Sequence, residues 1–215
     1  MKLKLNKIIK YLIYSDLVFY TGWGLISPIF AIFIIDSIAG GSAFVVGIAA
    51  AISLISRSLL RVPFGIYADR SQKKAYMFMF WGLLVSALIP FGYIFSSLPW
   101  HLYILQGILG AALALSTAGW TGIFARYMDR KKESTEWGID AVAVGVGPGI
   151  AAAFGGLAVT YFSFNLVFVA VAILGLIGAF ILLGIRKNVL KNNSLTGELF
   201  VSYELRRAKK ARVSS

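Results

Sequence analysis

The sequence has no cysteine, a single histidine (His101) and few charges, which make up 14% of its 215 residues. Without cysteine there are no disulfides, thiolate nucleophiles or cysteine-based metal sites, and one histidine cannot form a multi-histidine site. Also missing are a Ser/His/Asp set and a glycine loop placed to cradle phosphate after a strand. Enzymatic function is therefore the least favoured reading, and neither cofactor nor metal is expected. Acidic residues are scarce, 9 against 21 Lys and Arg, for a formal net charge of +12. Such an excess can mark a nucleic-acid binder, so the placement of the basic residues has to decide.

What is present is apolar sequence: 59% of residues are hydrophobic and mean hydropathy is +0.80. A helix needs roughly 20 apolar residues to cross a hydrocarbon core of about 30 Å. Six runs meet that length, at about 8–35, 44–66, 75–96, 101–126, 137–160 and 164–185. Each is apolar on nearly all sides, unlike the striped helices of a soluble bundle, and each is too long and too unalternating for a barrel strand. The first run follows Lys2, Lys4, Lys7 and Lys10. It is too long for a signal-peptide core and no small-x-small site closes it, so it is expected to stay as a first span. The expected fold is an all-α membrane protein with a six-span domain over 1–186 and a basic tail over 187–215. Part of that tail, Thr196 to Arg212, is either a short helix on anionic lipid or solvated chain.

The charges set an orientation. Nineteen of the 21 basic residues fall before span one, after spans two and four, or after span six. Arg57 and Arg61 lie inside span two, and the three remaining loops carry none. The positive-inside rule then places both termini in the cytoplasm, with the chain in the cytoplasmic (plasma) membrane. The same distribution accounts for the net charge without nucleic acid, and lipid is the expected partner.

The turn after span two reads Gly65-Ile66-Tyr67-Ala68-Asp69-Arg70-Ser71-Gln72-Lys73-Lys74. It resembles the Gly-x-Leu-Ala-Asp-Arg-x-Gly-Arg-Lys signature of the major facilitator superfamily, departing at Tyr67, Gln72 and Lys73. Span five carries Gly145, Gly147, Pro148 and Gly149, then Gly155 and Gly156. This is similar to the glycine-proline motif in the fifth span of that family's antiporters, with the second glycine pair several residues late. Gly22, Gly24 and Pro28 in span one, and Gln106, Gly107 and Gly110 in span four, fit the same resemblance. The usual span-four arginine has no counterpart.

The resemblance implies a half built from two inverted three-helix repeats, which the family pairs with a second six-span half. It implies that Asp69, Arg70, Lys73, Lys74 and Asp129 belong to a cytoplasmic gate beginning at Gly65. In that gate Asp69 meets a helix N-terminus of the other half, and the basic residues pair with Asp129. It also implies alternating-access transport of a small solute, and the span-five motif tilts this toward proton-coupled efflux by an antiporter. A half-size chain needs a partner, either a homodimer copy or a separate second half. The alternative is a non-transporting membrane scaffold or partner subunit, or a fragment of a full-length transporter.

Ionisable groups inside apolar spans are costly and by default suggest function. These are Asp16, Arg57, Arg61 and Asp140. Arg57, Arg61, Gly65 and Asp69 recur every four residues and share a drifting stripe of one helix. Arg61, about 12 Å from Asp69 at 1.5 Å per residue, is placed to snorkel. Asp16 is either a substrate and proton-coupling group or half of a fixed ion pair with those arginines. His101, after Pro99 and Trp100, is expected as an interfacial anchor, and Asp36 and Glu136 as span-end residues without a special role.

Overall fold

The computed structural model describes residues 5–191. Its helices are α1 (Lys7–Ile26), α2 (Phe30–Ser37), α3 (Ala43–Asp69), α4 (Gln72–Ile94), α5 (Pro99–Tyr127), α6 (Glu133–Tyr161) and α7 (Phe164–Ile181). No strand occurs among the described residues. Helix is what a bilayer demands, since lipid offers backbone N–H and C=O groups no partner outside the segment itself. Helix starts are set by local chemistry. Side-chain oxygens of Asn6, Ser42, Ser71 and Ser163 accept the N–H groups of Ile8, Val45, Lys74 and Leu166, satisfying donors that the first turn leaves free. Pro99 opens α5, where a missing N–H costs nothing. His101 Nδ1 accepts the Ser97 and Leu98 N–H groups at 3.2 and 3.3 Å, so this residue caps the start of α5.

Five helices are long and apolar enough to cross a membrane, and the α1–α2 pair makes a sixth when taken as one span. The run read as one helix over 8–35 is therefore two, bent by 41°. Pro28 lies in the break and cannot donate to the ladder. At the other end of the chain, α7 passes through a 3₁₀ turn, Leu182–Ile185, and helix resumes to Lys191. It thus runs beyond the expected boundary at 186. The rest of the expected tail, including the segment 196–212, lies outside the described residues.

One end of the bundle gathers the basic loops. Asn6 Nδ2 donates to the Tyr127 carbonyl at 3.3 Å and Arg126 to the Asp69 carbonyl at 3.1 Å. At the far end the Ala39 N–H meets the Ser97 carbonyl at 3.0 Å. Between the ends the helices form an open ring in the order α3, α5, α4, α7, α1, α6. The spans pair two with four, three with four, one with five, one with six, and three with six. Exchanging spans one, two and three with four, five and six leaves this set unchanged.

The seams close through glycine. A Cβ on Gly119 of α5 would strike the Ala75 carbonyl of α4, one on Gly110 the Ser53 carbonyl of α3, and one on Gly155 of α6 the Leu25 carbonyl of α1. Close backbone approach of this kind holds helices where lipid removes the hydrophobic drive between them. Two apolar clusters fill the interior. One near the basic end centres on Ile9, Leu12, Met79, Ile123 and Phe124. The other near the far end centres on Ile34, Tyr93, Leu102 and Phe168, with Phe33 and Phe168 ring centroids 4.8 Å apart.

The two ring ends are bare. Leu54, Leu59 and Val62 of α3 and Val146, Ile150 and Phe154 of α6 are more than half exposed. Glycines on the α6 outer face, Gly138, Gly145, Gly149 and Gly156, have nothing within 4 Å of a built Cβ.

Gly119→Val and Gly155→Val are expected to destabilise the bundle by about 1–3 kcal/mol or more, as overpacked sites do. Gly149→Val should leave the stability of the isolated chain unchanged. Thermal unfolding in detergent, read for the three variants side by side, checks this.

Candidate functional site

The ring leaves a cleft between α1 and α5, open between α3 and α6. Two adjoining cavities occupy it, and both are lined by Tyr20 and Leu113. The cavity toward the basic end, about 250 Å³, is lined by Asp16, Arg61, Ser116, Thr117, Trp120 and Asp140 among others. The other, about 450 Å³, is lined mainly by apolar and aromatic groups, Phe19, Trp23, Ile26 and Phe30, with Ser27, Ser53 and Gln106 as its polar members.

Asp16 is 8% exposed and Asp140 7%, and both carboxylates line the same cavity. The Asp140 Oδ1 atom is buried without a hydrogen-bond partner, as is the Trp120 indole Nε1. Arg57 and Arg61 come from the opposite wall. Arg57 donates to Thr117 Oγ1 at 3.5 Å, and Tyr20 lines the cavity together with Asp16, Asp140 and Arg61. Thr117 Oγ1 in turn donates to the Leu113 carbonyl at 2.7 Å. Tyr20 thus sits between a carboxylate wall on α1 and α6 and a guanidinium wall on α3.

The expected alternative of a fixed ion pair between Asp16 and those arginines is not what forms. No such pair is present among the described residues. The reason is topological: α3 packs on α5 while α1 packs on α6 and α7, so α1 and α3 face each other across the cleft. Arg61 is exposed at the open rim.

The turn after α3 is arranged differently from the gate that the resemblance implies. Asp129 Oδ2 meets Lys132 Nζ at 3.4 Å, within its own loop, instead of Arg70. The Arg70 guanidinium lies over the Tyr67 ring at 4.5 Å, a cation–π contact, and Arg126 makes the tie to the α3 terminus. Asp69 is exposed, with Oδ1 above Gly122 of α5. Lys73 and Lys74 are exposed on the first turn of α4, and Gly65 has open space around it. In α6 the glycine-proline motif divides between two faces. Gly147 packs against Leu17 and Thr21, Gly155 against Leu25, and Pro148 against Gly24, all on α1. Gly145, Gly149 and Gly156 face outward.

Several site residues escaped the sequence reading. Glu136, read as a span-end residue without a role, is fully buried. Its Oε2 accepts the Asp129 N–H at 3.2 Å and its Oε1 has no partner. It lies one turn from Asp140, so α6 presents two buried carboxylates in succession. The spacing of four was available in the sequence, but the side that α6 turns to α1 was not. Trp120, Phe124 and Trp137 pack into one aromatic group, with centroid distances of 4.4, 4.7 and 5.5 Å, beside the basic-end cavity. Gln106, already singled out in span four by the resemblance, donates through Nε2 to the Tyr93 hydroxyl at 3.3 Å.

The amino-acid sequence matches the family model of the Major Facilitator Superfamily over residues 13–213. No curated protein matches the chain significantly.

Asp140→Asn is expected to raise the apparent Tm in detergent, because a buried carboxylate oxygen without a partner is costly to keep. Arg126→Gln should lower stability by about 1 kcal/mol through loss of its hydrogen bond. The opposite signs are read in one thermal-unfolding series.

Proposed function

Since the chain belongs to the Major Facilitator Superfamily, whose members are membrane transporters of small solutes, we propose that the α1–α5 cleft is its solute pathway and works by alternating access. The observation that carries this is the set of groups lining one cavity: Asp16 and Asp140 on one side and Arg61 on the other, with Asp140 Oδ1 and the Trp120 indole N–H buried and unpartnered. A structural ion pair would have been closed and satisfied. An open, unsatisfied set is what a solute or a proton completes. The solute fitting the two cavities is a small amphiphile, its polar group beside Asp16 and Asp140 and its apolar body against Phe19, Trp23 and Phe30.

Proton-coupled efflux is the mode we assign. Glu136, Asp140 and Asp16 form a succession of buried carboxylates from the start of α6 inward, and such chains carry protons in transporters. The acidic residues of the cleft load protons from one side and release them when the solute occupies their place.

The second wall is a second six-span unit, either another copy or a separate chain. In favour are the open side of the cleft between α3 and α6, the two ends of the ring, and the outward glycines of α6, Gly138, Gly145, Gly149 and Gly156, which leave room for another backbone to approach. One copy related by a closed two-fold axis lays α3 of each against α6 of the other. Asp69 then faces the first turns of the partner's α6, near Trp137 and Gly138. Gly65, Asp69, Arg70 and Lys74 form the cytoplasmic gate on this reading, with Asp129 and Arg126 bracing its loop, whereas Lys73 turns to the outer face of α4 and α7. The inverted repeats are supported by the span pairings, which map onto themselves when the two three-span units are exchanged. Basic loops at one end support cytoplasmic termini in the plasma membrane, with the six-span domain ending near 186 and the tail beyond it.

Two experiments test this. With Asp69→Cys and Gly138→Cys on separately tagged chains, a crosslink between chains is expected; crosslinks confined within one chain would sink the homodimer. In proteoliposomes holding a pH gradient, addition of an amphiphilic solute panel is expected to release protons through the native protein. Asp16→Asn and Asp140→Asn should each reduce that flux at least tenfold while keeping the native mass. Unchanged flux in both would remove the cleft from the mechanism.

A further inference from the structure

We propose that the outer face of α4 and α7 holds an anionic phospholipid, its phosphate clasped by Lys73 and Arg186 and one acyl chain lying along Met77, Phe80, Trp81 and Leu183. These residues line a third cavity, about 330 Å³, on the side of the bundle away from the cleft. Three features make it a site for lipid instead of a solute.

Its depth matches a lipid. Lys73 lies in the first turn of α4, at the basic end of the bundle, and Trp81 lies eight residues further on. At 1.5 Å per residue the groove runs about 12 Å from its charged mouth, reaching from headgroup level into the hydrocarbon region. Leu190 and Arg186 flank the same mouth from the helical extension of α7.

Its chemistry is split by depth. Lys73 and Arg186 are both exposed, and no lining residue is acidic. Below them the lining is apolar and aromatic, with Met77, Trp81 and Leu183 exposed. The Tyr76 hydroxyl, deeper in the groove, is already used, donating to the Leu182 carbonyl at 3.1 Å. The pocket therefore offers two cations for one phosphate and hydrocarbon for the rest.

Its place in the ring keeps it open. α4 and α7 lie across the ring from α3 and α6, so a partner covering those two helices leaves this groove facing the bilayer. Two surface cations near anionic lipid contribute about 1 kcal/mol each, which sets the scale of the expected preference at roughly thirtyfold.

The test is native mass spectrometry of the full chain exchanged into micelles containing equal phosphatidylglycerol and phosphatidylcholine. The native protein should retain one phosphatidylglycerol in preference to phosphatidylcholine, and Lys73→Gln with Arg186→Gln should lose most of that preference, on the order of thirtyfold. Lys187→Gln with Lys191→Gln, cations of the same helix end outside the cavity lining, should keep it. Brominated phosphatidylglycerol should quench native fluorescence more than the Trp81→Phe protein, which reads the chain position even if the double variant folds poorly. Equal retention of both lipids by the native protein would overturn the proposal. So would a preference unchanged in the Lys73 and Arg186 variant, or quenching indifferent to Trp81.

Discussion

In a bilayer, a leucine gains nothing by leaving lipid for another helix, so association rests on how closely two backbones can approach. In this bundle the approach is set at Gly110, Gly119 and Gly155, each with a neighbouring carbonyl where a Cβ would stand. Those contacts fix which helix sits beside which. They join α3 to α5, α5 to α4 and α6 to α1, and the remaining joins pass through α7. The outcome is an open ring whose ends, α3 and α6, have one seam apiece and one bare face apiece. The cleft is the space that the ring encloses without filling. Its position and its open side follow from the glycine seams.

Electrostatics then distinguishes the interior of that cleft from the rest of the bundle. Elsewhere, buried polar groups are answered: Ser15 donates to the Gly178 carbonyl at 2.8 Å and Ser86 to the Gly82 carbonyl at 2.8 Å. Around the cleft they are not, with Asp140, Glu136, Trp23 and Trp120 each holding an unpartnered atom. Unmet buried groups cost stability, and here they concentrate where the helices fail to close. The guanidinium wall on α3 does not relieve the carboxylate wall on α1 and α6, because the cleft holds them apart. Stability and function pull against each other at these few side chains, while the glycine seams carry the fold.

Much of the fold was legible because lipid imposes a simple rule on sequence: long apolar runs become helices, although the first of the six runs is two helices and the last continues to Lys191. Pro28 was visible, yet whether a proline bends, breaks or merely sits in a helix depends on its neighbours. Pro63, Pro90 and Pro148 lie inside continuous helices, whereas Pro28 separates two. The intramembrane charges Asp16, Arg57, Arg61 and Asp140 stood out by their cost, and the structure brings Asp16, Arg61 and Asp140 to one cavity. Their partners were not legible, since facing across a cleft depends on which seams close. Glu136 illustrates the limit most plainly. Its position at a span end suggested exposure, and only the rotation of α6 against α1 buries it. The glycine motif of span five likewise read as one feature and serves two faces, Gly147 and Gly155 inward, Gly145 and Gly149 outward.

On the proposed reading, the space between α1 and α5 is an aqueous solute pathway walled by a second unit. Since the chain has no cysteine, single introduced thiols report accessibility without background. The decisive measurement is labelling of Thr117→Cys in intact membranes by a charged, membrane-impermeant maleimide, with the outward-facing Leu183→Cys as reference. Rapid labelling is expected at position 117 and none at 183. Equal inertness at both positions would mean that lipid or protein fills the cleft, and would rule out an aqueous pathway there.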